Sequence, residues 1–311
     1  MDSLSLQVLV LIFIVSIIVL LKASDWFITA AEKIGLSFGI PAFIVGVTIV
    51  AAGTSLPELV TSIISVFKNS SEIVVGNVVG SNITNILLVL GLTATVSKKI
   101  EIDFDIMNID MPLFVGSSFM LWFCIYDNEF TKLEAVVCLI GLLIFLAYTF
   151  GADKVEPEDG EEMVKLDWKV FAMLILGAIG IKFGAEWTVN SIIEVSNRID
   201  VAKEAIALSA VAFGTSLPEI IVSVKAARKG KPEIAIGNVL GSNIFNTFAV
   251  MGIPGLIGVL TIPAQVTASS LPLMMAASFL FLIMMITKKI SNWEGYILIL
   301  FYVIFIAELF A

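Results

Sequence analysis

Long apolar runs separated by short polar breaks dominate the chain. Leu6 to Leu21 and Tyr296 to Leu309 are two of the cleanest. With some tilt and partly polar flanks, such runs match a hydrocarbon core of roughly 30 Å. The breaks divide the sequence into ten expected helical spans. Five lie near 5–31, 40–67, 74–96, 110–126 and 132–150, and five near 166–194, 201–227, 235–259, 267–287 and 293–310. The strict alternation that a β-barrel strand would show is absent. The expected fold class is therefore all-α and polytopic. Met1-Asp-Ser-Leu-Ser has no positive charge, and no small-x-small site follows the first apolar run. That run reads as a span rather than a cleaved leader.

Composition agrees with this pattern. Hydrophobic residues make up 59% of the chain and charged residues 14%, well below the roughly 25% of soluble domains. Mean hydropathy is +1.03. The net charge of −9 collects in loops, and Gly151 to Met163 alone holds six acids. That stretch reads as a solvated linker. Cys124 and Cys138 sit in apolar segments, as small core residues do, and not as a disulfide or metal pair. Histidine, the commonest proton relay and transition-metal ligand, does not occur.

Shifted by 161 residues, the sequence aligns with itself. Gly53 to Gly91 falls on Gly214 to Gly252 without a gap, and 20 of the 39 positions are identical. The expected organisation is a five-helix repeat over 1–150, an acidic linker over 151–165 and a second five-helix repeat over 166–311. Five spans are an odd number, so the second repeat should enter the membrane upside down. The basic residues test this independently. With the N-terminus outside, the cytoplasmic loops receive 12 Lys and Arg and the outer loops 4. Equivalent loops also carry opposite loads. Lys68 stands alone after the first motif, whereas Lys225, Arg228, Lys229 and Lys231 follow its copy. Inverted repeats with broken helices characterise secondary transporters, whose substrate sites lie mid-membrane where the repeats meet.

The chemistry sits in the repeated motif. Gly53-Thr-Ser-Leu-Pro-Glu58 recurs as Gly214-Thr-Ser-Leu-Pro-Glu219. On a helix Thr54 and Glu58 share a face. Pro57 donates no backbone hydrogen bond and crowds the Gly53 carbonyl, so a kink or break with freed carbonyls is expected there. The next span adds Asn77, Ser81 and Asn85 at four-residue spacing, mirrored by Asn238, Ser242 and Asn246. Gly76 with Gly80, and Gly237 with Gly241, form small-xxx-small pairs that let helices approach closely, a structural role. Hydroxyls in a membrane helix also back-bond to their own carbonyls, so singly they say little. The glutamates say more. An acid at a helix centre costs about 2.5–3.5 kcal/mol even on the lenient insertion scale, and here it occurs twice with no cation in either motif. Pooled at the pseudo-twofold axis, these groups form an all-oxygen donor set. Such a set suits hard cations, Ca²⁺ above all, and Mg²⁺ less well because it gives up water reluctantly. Na⁺ can use the same oxygens. Lys22 with Asp25, and Lys182 with Glu186, read as snorkelling ion pairs.

The doubled Gly-Thr-Ser-Leu-Pro-Glu and Gly-Asn-x-x-Gly-Ser-Asn-Ile-x-Asn motifs resemble the alpha-repeats of the cation/Ca²⁺ antiporter superfamily, most closely its prokaryotic sodium/calcium exchanger branch. The resemblance implies a ten-helix fold with the second and seventh helices broken, and first and sixth helices that slide to alternate access. It implies Ca²⁺ coordination by Glu58, Glu219, Thr54 and Thr215. It further implies Na⁺ coordination by the glutamates with Ser55, Ser216, Ser81, Ser242 and the carbonyls of Ala51 and Ala212. Asn85 and Asn246 match the central amide or acid positions. Several members of that superfamily carry Asp at one of these, and this chain has Asn at both, for a site charge of −2. The expectation is a plasma-membrane antiporter that exchanges Na⁺ for Ca²⁺, with these ions and the bilayer as its partners, no cofactor, no nucleic acid and no enzymatic activity. A cation/proton exchanger using the same glutamates is the alternative. A hydrolase built on Ser55 or Ser216 has neither His nor a nearby Lys as base, and broken helices in inverted repeats suit alternating access better than a channel.

Overall fold

The computed structural model describes residues 6–97, 100–102, 104–151, 166–199 and 203–309. The expected linker beyond Gly151 lies outside the described residues. The described chain is helical almost throughout, in ten helices. These are α1 (Leu6–Ser37), α2 (Ala42–Phe67), α3 (Glu72–Val96), α4 (Asp110–Ile125), α5 (Lys132–Gly151), α6 (Trp168–Ile199), α7 (Lys203–Arg228), α8 (Pro232–Ile257), α9 (Val266–Met285) and α10 (Asn292–Leu309). Seven are long and apolar enough to cross a membrane, and α4 is a shorter apolar helix. The spans expected from hydropathy match these helices to within a few residues, except that α1 runs on to Ser37 and α6 to Ile199.

The bundle is layered. In the apolar stretch of α8, 94% of residues are buried, with 78% in α3 and 61% in α2, against 22% in α1 and in α5. The central layer is therefore built on α2, α3 and α8. The outer helices turn Leu11, Ile18, Leu143, Ile144, Ile175 and Leu300 outward. Outward apolar faces around buried Thr54, Ser55, Glu58 and Asn85 are the arrangement a bilayer demands. α1 and α6 pair along a stripe of small residues. A Cβ on Gly177 or Gly184 would stand 2.9 Å from the Cβ of Phe27 or Leu20, and the hydroxyls of Ser16 and Thr188 meet at 2.9 Å.

Four two-residue strands reveal how the halves are oriented. β1 (Ile100–Glu101) lies between α3 and α4, and β2 (Glu129–Phe130) between α4 and α5. β3 (Leu260–Thr261) lies between α8 and α9, and β4 (Lys289–Ile290) between α9 and α10. β1 pairs antiparallel with β4, Ile100 opposite Ile290. β2 pairs with β3, Phe130 opposite Leu260. Parallel halves would put the α3–α4 and α8–α9 connections at the same end of the bundle. The α3–α4 connection instead meets α9–α10, and α4–α5 meets α8–α9, so the second half is inverted. Side chains repeat the message. Lys288 pairs with Asp105 at 3.2 Å, and the Phe104 amide donates to Glu233 at one end. At the other end the Thr261 amide donates to Ser71, and the Thr267 hydroxyl to Asn128.

Two expectations take a different form. Helical structure continues through Pro57 and Pro218, both of which lie inside a helix. The break in α2 is thus a missing hydrogen bond at the Gly53 carbonyl, not an unwound segment. The visible irregularities are π turns at Gly46–Val50 in α2, Asn85–Val89 in α3, Asn246–Val250 in α8 and Val266–Ser270 at the start of α9. Asp25 also finds a partner other than Lys22. It pairs with Lys225 at 2.7 Å and Lys229 at 3.0 Å at the end of α7, and Glu32 pairs with Lys231. These lysines cross from another helix at the same end, whereas Lys22 sits on α1 itself.

Candidate functional site

Each half contributes two helices to the centre. In α2 the positions Thr54, Glu58 and Ser62 follow one another at one-turn spacing, and all three are buried along with Ser55. In α3 and α8 a π turn begins at Asn85 and at Asn246 respectively. A π turn adds a residue to the helical circuit and recurs at functional sites. Here it starts at the two asparagines expected at the middle of the site. The π turn of α2 ends one residue before Ala51. That turn is seated directly on α8. A Cβ on Gly237 or Gly241 would overlap the backbone of Phe43 or Val47, and one on Gly46 would overlap Ile234. The expected role of the Gly237–Gly241 pair is thereby met. Among the described residues, nothing stands within 4 Å of where a Cβ on Gly76 or Gly80 would be.

The two halves interleave at the centre. The Thr54 hydroxyl donates to Asn238 Oδ1 at 3.2 Å and lies 3.5 Å from the Ser242 hydroxyl. It also approaches the Ala51 carbonyl at 3.3 Å. The Ser55 hydroxyl donates to Glu219 Oε1 at 3.5 Å. Residues 184, 188 and 164 positions apart in sequence therefore share one locus. Around them, Asn77 Nδ2 donates to the Glu58 carbonyl at 3.4 Å and to Ser62 at 3.3 Å. Its repeat equivalent, Asn238 Nδ2, donates to Ser223 at 2.9 Å. Ala212 and Thr215 belong to α7, and their side chains lie outside the described residues.

The electrostatics are unusual. Among the described residues, both carboxylate oxygens of Glu58 are buried without a hydrogen-bond partner, as is Glu219 Oε2. So are the hydroxyls of Ser81 and Ser216, both ends of the Asn85 amide, and Asn246 Oδ1. Buried polar atoms are nearly always paired, and an unpaired buried carboxylate is among the costliest groups a fold can hold. No Lys or Arg pairs with either glutamate among the described residues. Oxygen lone pairs gathered around two acids make a donor set of the kind a hard cation takes. A third buried acid, Asp110, is of another kind. It lies in the first turn of α4, where a helix favours negative charge, and accepts from the Tyr148 hydroxyl at 3.1 Å. Cys124 and Cys138 are buried and free.

Sequence reasoning left Ser62, Ser223, Asn82, Asn243 and Thr247 out of the site. Ser62 and Ser223 extend the Thr54–Glu58 stripe by one further turn in each half, and that spacing was the available signal. Asn82 and Asn243 are identical at equivalent positions. Asn82 Nδ2 donates to Thr247 at 3.3 Å and to the Asn243 carbonyl at 3.5 Å, and Asn246 Nδ2 donates to Asn82 Oδ1 at 3.2 Å.

An inverted helical bundle with acids and hydroxyls converging in its buried middle defines a class, the secondary membrane transporters of small cations. Within that class, a family model described as sodium/calcium exchanger protein matches residues 8–151 and again 169–311. The chain is 33% identical over 300 residues to an uncharacterised membrane protein of Methanocaldococcus jannaschii, covering 96% of both chains. It is 32% identical over 347 residues to the sodium/calcium exchanger MaX1 of Methanosarcina acetivorans, covering 96% of this chain and 98% of that one. A solved structure of the sodium-calcium exchanger NCX_Mj, soaked with Na⁺ and Sr²⁺, superposes with a TM-score of 0.85 at 31% identity. The superposition covers 97% of this chain and 99% of that one. The chain belongs to the sodium/calcium exchanger family. It is a multi-pass membrane transporter, as the resemblance of its motifs implied, and not an enzyme.

Proposed function

We propose that this protein is an antiporter that lets Na⁺ flow inward and moves Ca²⁺ out of the cytoplasm, binding both at the centre of the bundle. The observation that carries this reading is the set of unpartnered buried oxygens contributed by Glu58, Glu219, Ser81, Ser216, Asn85 and Asn246. Ca²⁺ takes six to eight oxygens in flexible geometry, and two carboxylates balance its charge. Glu58 and Glu219 are the principal ligands, completed by Thr54 and Thr215. Na⁺ binds the same glutamates with Ser55, Ser216, Ser81, Ser242 and the carbonyls of Ala51 and Ala212, next to the Asn85 and Asn246 amides. The two ions compete because they use the same oxygens. A site that must hold either Ca²⁺ or Na⁺ to neutralise its carboxylates is costly to carry across empty, and that cost couples the two fluxes.

The chain divides into repeats over 1–150 and 166–311 with the acidic segment 151–165 between them. The family match falls into two blocks on either side of that segment. The N-terminus faces outward and the acidic segment lies in the cytoplasm of a plasma-membrane protein. The convergence of Lys225, Lys229, Lys231, Lys288 and Lys289 at one end of the bundle supports this orientation.

The test is Ca²⁺ uptake into proteoliposomes loaded with Na⁺, compared with loading by K⁺ or choline at equal pH. Uptake that requires internal Na⁺ is the expected result. Uptake without Na⁺ but driven by an acidic interior would transfer the coupling to protons at the same glutamates. An imposed membrane potential separates an electroneutral exchange of two Na⁺ per Ca²⁺ from an electrogenic exchange of three.

A further inference from the structure

Asn246 offers an oxygen to the site only if its amide is turned the right way. Its two ends are nearly the same size, but one donates hydrogen and the other accepts, so its polarity is set by neighbours. The neighbour is Asn82. Asn82 Nδ2 points at the Asn243 main-chain carbonyl at 3.5 Å, with the Thr247 hydroxyl at 3.3 Å. A carbonyl only accepts, so the nitrogen of Asn82 must face it and Oδ1 must face the other way. That Oδ1 receives Asn246 Nδ2 at 3.2 Å. The relay leaves Asn246 Oδ1 buried and without a protein partner. A main-chain carbonyl two steps away thus decides which end of Asn246 the site sees.

Asn243, the repeat equivalent of Asn82, is polarised in the same way. It gives Nδ2 to the Val239 carbonyl at 2.7 Å, and its own Oδ1 is buried without a partner. Asn85, the equivalent of Asn246, has both ends of its amide unpartnered. One of two symmetry-related bonds is made, and the groups for the other are present and unused.

We infer that Asn82 is a positioning residue for the ion site, fixing the polarity of Asn246 so that it presents its carbonyl oxygen to the bound cation. The inference rests on the cation-binding reading above. A carboxylate accepts at both ends and needs no such orientation. An Asp at position 246 would also meet Asn82 Oδ1 acceptor to acceptor. The consequence is a change of sign that packing alone does not produce.

The experiment is Ca²⁺ titration calorimetry on the purified full chain in Na⁺-free detergent solution. In the native background, Asn82→Ala should weaken Ca²⁺ binding about tenfold, the equivalent of one buried hydrogen bond and the misorientation it permits. In the Asn246→Asp background, the same Asn82→Ala change should be neutral or should tighten binding. Equal weakening in both backgrounds would overturn the inference and make Asn82 a packing residue. No weakening in the native background would also overturn it. Should Asn246→Asp fail to fold, Asn246→Ala serves as the second background: with no amide left to orient, Asn82→Ala should weaken binding no further, and the full weakening seen in the native background would overturn the inference. An unaltered chain that binds no Ca²⁺ would remove the cation-binding reading itself, and this inference with it.

Discussion

Replacing Glu58 by glutamine removes one negative charge while barely changing side-chain volume. It therefore separates what the carboxylate does for the fold from what it does for an ion. Both of its oxygens are buried and have no side-chain partner among the described residues, so no side-chain hydrogen bond among them is lost. Without a cation the ionised acid is a burden. Its insertion cost is about 2.5–3.5 kcal/mol at a helix centre, and a neutral amide should recover on the order of 1–2 kcal/mol of it. With Ca²⁺ the sign reverses. Removing one partner of a buried ion pair costs about 3–5 kcal/mol, or roughly a hundredfold to several thousandfold in affinity. Glu58→Gln should therefore unfold at a higher temperature than the native chain in chelator, and at a lower one in saturating Ca²⁺. Thermal unfolding in detergent, with chelator and with Ca²⁺, reads both signs in one preparation. Proteoliposome uptake should fall to background. A variant that is less stable in chelator and still protected by Ca²⁺ would refute the reasoning, because Glu58 would then be a structural acid.

Other expectations follow from specific contacts. Gly241→Ala drives a Cβ into the Val47 backbone and should cost about 1–3 kcal/mol, the usual range for overpacking. Ser55→Ala removes the hydroxyl 3.5 Å from Glu219 Oε1. It should weaken Ca²⁺ binding about tenfold, the low end of what a hydrogen bond to a charged group is worth, because the bond is long, with monodispersity on gel filtration unchanged. Asp25→Asn dissolves the pairs with Lys225 and Lys229, which are more than a third exposed on the acid side. It should cost no more than about 1 kcal/mol, less at high salt, and a salt series of melting curves checks both points.

The sequence made the bundle legible because a bilayer leaves little choice. Every backbone group must be satisfied inside its own segment, so long apolar runs become helices and their polar breaks become turns. Glu58 and Glu219 were legible for the same reason, since an acid in such a run needs a purpose. The inversion was legible twice over, in the odd number of spans and in the lysines of equivalent loops. The structure expresses it in the pairing of β1 with β4 and of β2 with β3. Those four strands themselves were not foreseen. Two-residue strands leave no periodic trace, and Ile100 finds Ile290 only after both halves have folded.

The π turns show where local reading gives out. Pro57 marks the motif in the sequence, yet helical structure runs through it, and the widened turn lies at Gly46–Val50 instead. Nothing in Gly-Val-Thr-Ile-Val announces a π turn. Its geometry is matched to Gly237 and Gly241 on α8, whose missing side chains let that turn sit against bare backbone. The supporting asparagines were hidden for a related reason. Asn82 and Asn243 occupy the same place in each repeat, and spacing marks them as polar and buried without saying what they hold. Their roles depend on hydrogen-bond polarity, which starts from the Asn243 and Val239 carbonyls. Asn82 receives Asn246, whereas Asn243 Oδ1 and the whole Asn85 amide have no partner. A duplicated sequence is close to symmetric, but its structure here is not. The same motif therefore holds its central amide in one half and leaves it free to turn in the other.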